Sequence, residues 1–203
     1  MTDMPTTFPL PTHRPELLEY FATRRSNLAK TMVGPGPDGP TRDRLLEIAA
    51  RVPDHRKLTP WRFVTFEGDA RSRFGQHIAS VFMAENPTAP ADRAIFEGAR
   101  LMRAPLVVAV ISSPVVCPRG TPIWEQELSS GAVCLTLCMA AQAQGFGAQW
   151  LTEWYAYDAA VNSALGLTES ERVAGYIYIG TPQAESKPRV RPDVSALTRA
   201  WTG

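Results

Sequence analysis

The sequence predicts a layered protein of α/β or α+β class in which single helices alternate with single strands. Strand-like segments recur at 61–66, within 146–152 and at 172–179, and helical periodicity separates them. A further segment, Leu106 to Ile111, is an uninterrupted apolar run of strand length, which marks a central strand covered on both faces. The longest helical segment runs from Pro122 to Gln144, and from Gly131 to Ala143 it is apolar on nearly every side, so it must be buried all round. One way to surround it in so small a chain is a sheet on one side and a symmetry-related copy on the other.

The 203 residues, 44% apolar and 20% charged, suit one domain with one sizeable core. The expected organisation is a single domain over 1–203, with a proline-rich N-terminal arm at 1–13 and a C-terminal tail at 183–203. A formal net charge of +1 gives no global attraction to nucleic acid or to an anionic membrane, so any anion site is local. No apolar stretch reaches a membrane span and no charged-then-apolar signal opens the chain, so the expected address is cytoplasmic. Cys117, Cys134 and Cys138 are too few for a disulfide scaffold, and no other Cys or His pair is spaced to complete a metal site with them.

Taken in order, Pro15 suits the first turn of a helix carrying Leu17, Leu18 and Phe21. The Gly34–Pro40 loop cannot cradle a phosphate, because prolines replace the backbone donors. Leu45, Ile48, Ala49 and Val52 form a second helical face. Asp69 is placed to cap a helix carrying Phe74, Ile78 and Val81, with His77 at its boundary. Ile95, Ala99 and Met102 share another helical face, and Gly145 and Gly166 close the helices before them.

Two stretches carry candidate chemistry. Arg24-Arg25-Ser26 follows a helix, and spacing alone leaves two readings open: charges that offset the macrodipole, or two guanidinium forks and a hydroxyl that hold a phosphate. Between Pro53 and Pro60, Asp54, His55, Arg56, Lys57 and Thr59 are held on a restrained polar loop. Such a loop is either a solvated connection or a set of donors presented to an anionic or heteroaromatic ligand with little ordering cost.

In order and spacing, Arg24-Arg25-Ser26, Pro53-Asp54-His55 with Pro60-Trp61-Arg62-Phe63, Trp124-Glu125-Gln126-Glu127, Ala143-Gln144-Gly145-Phe146-Gly147 and Gly175 to Pro182 resemble the nitroreductase-like flavoproteins of the minimal type. The resemblance runs from about Glu16 to Pro182. It implies an α+β sandwich, a central mainly antiparallel sheet with helices, that dimerises through its long central helix and holds two FMN molecules at the subunit interface. It implies further that Arg24, Arg25 and Ser26 bind the FMN phosphate and ribityl chain. Arg51, Pro53, Asp54, His55 and Lys57 match a loop that reaches the flavin of the other subunit, and Trp150, Leu151 and Thr152 match the segment along the isoalloxazine. Lys187 and Arg189 match phosphate contacts of longer relatives, and Ala140 to Gly145 match a segment tied to nicotinamide nucleotides.

The implied activity is that of an FMN-dependent NAD(P)H oxidoreductase acting on nitroaromatic or quinone-like acceptors. A nicotinamide hydride passes to the flavin, the nicotinamide leaves, and a small-molecule acceptor takes its place. No side-chain nucleophile is needed, because the cofactor carries the chemistry. The sequence leaves open dehalogenation, heterocycle oxidation or flavin breakdown on the same scaffold, and a non-enzymatic FMN-binding protein.

Overall fold

The computed structural model describes residues 7–203, so the first six residues of the expected arm lie outside it. The described chain separates into two compact units, residues 26–186 and the terminal segments 7–25 with 187–203. The terminal unit holds helix α1 (Pro15–Thr23), with Pro15 in its first turn, and there Arg25 Nε donates to the Lys187 carbonyl at 3.1 Å.

In the larger unit the elements run β1 (Met32–Val33), α2 (Gly39–Ala49), β2 (Trp61–Glu67), α3 (Asp69–Glu85), α4 (Ala91–Gly98), β3 (Leu106–Ser112), α5 (Ile123–Ala143), β4 (Gly147–Leu151), α6 (Ala159–Ala164) and β5 (Arg172–Pro182). A four-residue helix, α7 (Val194–Leu197), belongs to the terminal unit. All strand pairings are antiparallel, in the order β1-β5-β3-β2, with β4 also on β5. This is the α+β class with a mainly antiparallel sheet expected above.

The apolar run of β3 is buried along its whole length, as a central strand with cover on both faces must be. Alternation sends Val107, Ala109 and Ile111 to one core with Ile78, Leu101, Tyr155 and Tyr176, and Leu106, Val108 and Val110 to a second with Leu45, Val133 and Leu137. Helix α5 covers the second face. Its other side carries Trp124, Leu128 and Leu135, which are 66%, 53% and 43% exposed, so the expectation of burial all round does not hold within the single chain. Residues four and seven apart lie on one helical side, and the strands fill only the opposite one.

Several boundaries move for local reasons. Helix α2 begins at Gly39 because the Asp38 carboxylate accepts from Thr41 N–H at 2.9 Å, and it stops at Ala49, short of Val52. Asp69 does not cap α3. Gly68 stands at that position with a φ of 48°, and Asp69 is the first helical residue. Between β3 and β5 the register slips, Val110 facing Gly175 and Ile111 facing Val173, which leaves Ala174 as a bulge.

Candidate functional site

The open edge of β4 is the starting point. Ala148 directs both peptide groups away from β5: its carbonyl accepts from Asn27 N–H at 3.0 Å and its N–H donates to Asn27 Oδ1 at 3.3 Å. By strand alternation the next peptide groups to face off that edge are those of Trp150. One residue earlier, Gln149 Oε1 accepts from Ala29 N–H at 2.6 Å and ties residues 28–30 to the strand.

Beside this edge lies a cavity of about 480 Å³. Its apolar wall is formed by Leu28, Ala29, Phe96 and Leu151, and its polar wall by Lys30, Arg100, Arg103, Gln149 and Glu153. Arg100 grips fully buried Glu97 with Nε at 2.8 Å and Nη2 at 2.9 Å, and Nη1 reaches Glu153 at 2.9 Å. Arg103 binds both oxygens of Glu153, and its guanidinium also reaches the Tyr155 and Tyr178 hydroxyls, which are 2.7 Å from each other. Burial works against ionisation of Glu97 and Glu153. Hydrogen bonds from Arg100 and Trp154 to Glu97, and from Arg103 and Tyr155 to Glu153, outweigh it and hold both carboxyls below their ordinary value. The arginine side chains are therefore fixed cations, with Arg100 also lying over the Phe96 ring at 4.5 Å.

The loop before β2 is built by Asp54. Its carboxylate accepts from Leu58 N–H at 2.9 Å and from Thr59 N–H at 2.8 Å, which holds Arg56, Lys57 and Thr59 at φ values of 66°, 56° and 49°. Left-handed backbone is costly for side chains with a Cβ, and for a β-branched threonine most of all. Helix α5 and the segment before it anchor the same loop: Ser129 Oγ donates to the Pro53 carbonyl at 2.6 Å, His55 Nδ1 lies 2.7 Å from Glu125 Oε2, and Arg56 Nε donates to Thr121 Oγ1, just ahead of the helix, at 3.1 Å. Pro53, His55, Glu125, Leu128, Ser129 and Ala132 line a second cavity of about 320 Å³ on the bare side of α5.

Of the residues singled out in sequence, Trp150, Leu151 and Thr152 follow the β4 edge, with Leu151 in the larger cavity. Pro53 and His55 meet at the second cavity, Asp54 builds the turn between them and Lys57, and Arg51 lies on the exposed approach. Arg24, Arg25, Lys187 and Arg189 belong to the terminal unit, where Arg24 ends α1. Ser26 opens the larger one, its carbonyl accepting from Ser186 Oγ at 3.2 Å.

Lys30, Arg100, Arg103, Gln149 and Glu153 were not legible as a group. Arg100 and Arg103 stand three apart after Glu97, a spacing that matches no motif. The signal that marks them is their position against Ala104-Pro105, where the chain must enter a fully buried strand.

An antiparallel α+β sandwich with a cationic cavity against an open strand edge defines a small-molecule-binding protein rather than a structural one. The chain belongs to the nitroreductase family: the family's model matches residues 35–181. "Putative NAD(P)H nitroreductase YdjA" of Escherichia coli is 33% identical over 182 residues, covering 88% of this chain and 95% of that protein. Among solved structures, a nitroreductase-like family protein from Bacillus cereus superposes with a TM-score of 0.80 at 20% identity, over 97% of this chain and 100% of its own. A variant of the FMN- and NADPH-dependent nitroreductase NfnB from Sphigopyxis sp. strain HMH has a TM-score of 0.67 at 20% identity, over 92% and 98%. At that identity the two structures bear on the fold alone.

Proposed function

We propose that this protein is an FMN-dependent oxidoreductase that takes electrons from NAD(P)H and reduces nitroaromatic or quinone-like acceptors. The observation that carries the reading is the cavity beside β4. Its volume of about 480 Å³ falls within the range of roughly 300–1,000 Å³ usual for cofactor-sized ligands. Its two walls match the two characters of a flavin ring. Leu28, Ala29 and Leu151 offer apolar cover for the fused rings, and Arg100, Arg103 and Gln149 offer donors for the polar end. Glu97 and Glu153 hold the arginines in place, so positive charge is present before the ring gains negative charge and no reorganisation is needed at that moment. The Trp150 peptide groups add main-chain partners along the edge. Bound FMN supplies the redox chemistry, and the protein supplies binding, orientation and charge.

By family resemblance, the phosphate is assigned to Arg24, Arg25 and Ser26, with Lys187 and Arg189 as further cations. On the same basis the loop with Arg51, Pro53, Asp54, His55 and Lys57 serves the flavin of a second subunit. The bare apolar side of α5, with Trp124, Leu128 and Leu135, supports a homodimer through that helix.

The test is the absorption spectrum of the purified protein with added FMN, followed by anaerobic mixing with NADH and NADPH. We expect a stoichiometric flavin spectrum that bleaches with at least one nicotinamide, and an Arg100→Ala variant that binds FMN about tenfold or more weakly through loss of a charge-assisted contact. A protein that binds no FMN sinks the reading, and one that binds FMN yet never bleaches is a flavin-binding protein without this activity.

A further inference from the structure

Asn27, half-buried in the larger unit, serves three neighbours at once. Its main-chain N–H donates to the Ala148 carbonyl at 3.0 Å and its side-chain Oδ1 accepts from the Ala148 N–H at 3.3 Å, so this one residue occupies both peptide groups as a neighbouring strand would. Oδ1 also accepts from Gln142 Nε2 of α5 at 3.3 Å. Nδ2 donates to Ser186 Oγ at 3.4 Å, and that hydroxyl donates in turn to the Ser26 carbonyl at 3.2 Å. Gly147 makes the room, since a Cβ there would stand 3.1 Å from Asn27 Cβ and 3.2 Å from Pro182 Cβ, tighter than ordinary contact.

The consequence falls on the residues that follow. Leu28, Ala29 and Lys30 line the cavity beside β4, and two ties hold them to that strand: Asn27 on Ala148, and the Ala29 N–H on Gln149 Oε1 at 2.6 Å. The first tie ends at Ala148, so the Trp150 peptide groups stay open on the same edge. Charge adds a second consequence. Arg100 and Arg103 are paired with Glu97 and Glu153, whereas Lys30 makes no ion pair among the described residues, so its charge on the cavity wall is uncompensated. Where this segment sits along β4 therefore decides where that charge stands.

We propose that Asn27 is a positioning residue of the cofactor site: it clamps the 28–30 wall to β4 in the register that leaves the Trp150 peptide groups open, and so places Lys30 for the negative charge that a flavin ring gains on reduction. An amide suits the task, because the side chain must accept twice and donate once. A carboxylate lacks the donor, and an aliphatic side chain lacks both functions. Placed in advance, the lysine needs no rearrangement when the ring becomes charged. The proposal rests on the flavin reading, and the experiment separates the two.

FMN is titrated into the full chain by flavin fluorescence, and the midpoint potential of the bound flavin is read by equilibration with a reference dye. We expect Asn27→Ala to weaken FMN about tenfold. It should weaken the reduced flavin about tenfold more than the oxidised one, which for a two-electron couple lowers the potential by about 30 mV. Gly147→Ala, which removes no polar group but pushes Asn27 off the strand, should shift the potential in the same direction, and it decides the matter alone if Asn27→Ala does not fold. A wild-type protein that binds no FMN removes the flavin reading and this proposal with it. Wild-type binding with the potential unmoved in the folded variants overturns the assignment of Asn27 alone, whatever their melting temperatures, because a residue that only stabilises the fold would behave in that way.

Discussion

Asp54 shows how one side chain can set a whole loop. Its two oxygens hold Leu58 and Thr59 by their N–H groups, and those bonds offset the left-handed backbone of Arg56, Lys57 and Thr59. Replacing Asp54 with Ala should therefore destabilise the protein by about 1–2 kcal/mol, a fall in Tm of roughly 2–8 °C, with Asp54→Asn intermediate. Calorimetry checks this, and an unchanged Tm would mean that the loop is held from α5 alone. Glu171 supplies a second case. It is held by Arg62 through Nε at 2.7 Å and Nη2 at 2.9 Å, and this pairing takes its carboxyl from an ordinary 4.5 to about 2. Because the folded state lowers this value, its contribution is complete above about pH 4.5 and is lost as pH falls towards 2. Denaturant melts at pH 6 and pH 3 should show stability falling with acid, and Glu171→Gln should flatten that dependence. Equal slopes in the two proteins would remove Glu171 from the account.

At the scale of the element, β4 is decided by what stands on each side of it. On one side β5 pairs with it from Gly147 to Leu151, and on the other Asn27 engages its peptide groups at Ala148. Beyond that ladder the Trp150 indole crosses to β5 above Gly175, where a built Cβ would come within 2.0 Å of the ring. Gly175→Ala should thus expel the indole from its seat, at a cost of about 1–3 kcal/mol for forced overpacking, with a red-shifted tryptophan emission. Unchanged emission and stability would show that β5 yields instead. At the end of α4, Gly75 of α3 approaches so closely that a Cβ on Gly75 would fall 2.0 Å from the Gly98 carbonyl oxygen, so the two helices meet through glycine. That contact positions the next turn, and with it Arg100 and Arg103.

At the scale of the molecule, the unanswered surface is the bare side of α5. Trp124, Leu128 and Leu135 form one apolar stripe, which a second copy would cover in the proposed dimer. We predict that the protein sediments as a dimer at micromolar concentration, and that Leu128→Glu with Leu135→Glu yields a folded monomer with FMN bound more weakly. A wild-type monomer that binds FMN fully would reject the shared-site proposal. Among the described residues no helix is long and apolar enough to cross a membrane.

The sequence by itself determined the order of the principal elements, the central place of Leu106 to Ile111, the length of α5 and the family. Each is written in local periodicity, in a continuous apolar run or in motifs whose order survives divergence. It did not show β1, because two residues carry no period, nor the capping role of Asp38 within a loop that reads as a spacer. Tertiary structure alone brought Ala29, Arg100, Gln149 and Glu153 to one cavity, and it alone left one side of α5 bare. Such juxtapositions depend on which elements pack together across more than a hundred residues, and a local pattern records only which side of an element is apolar.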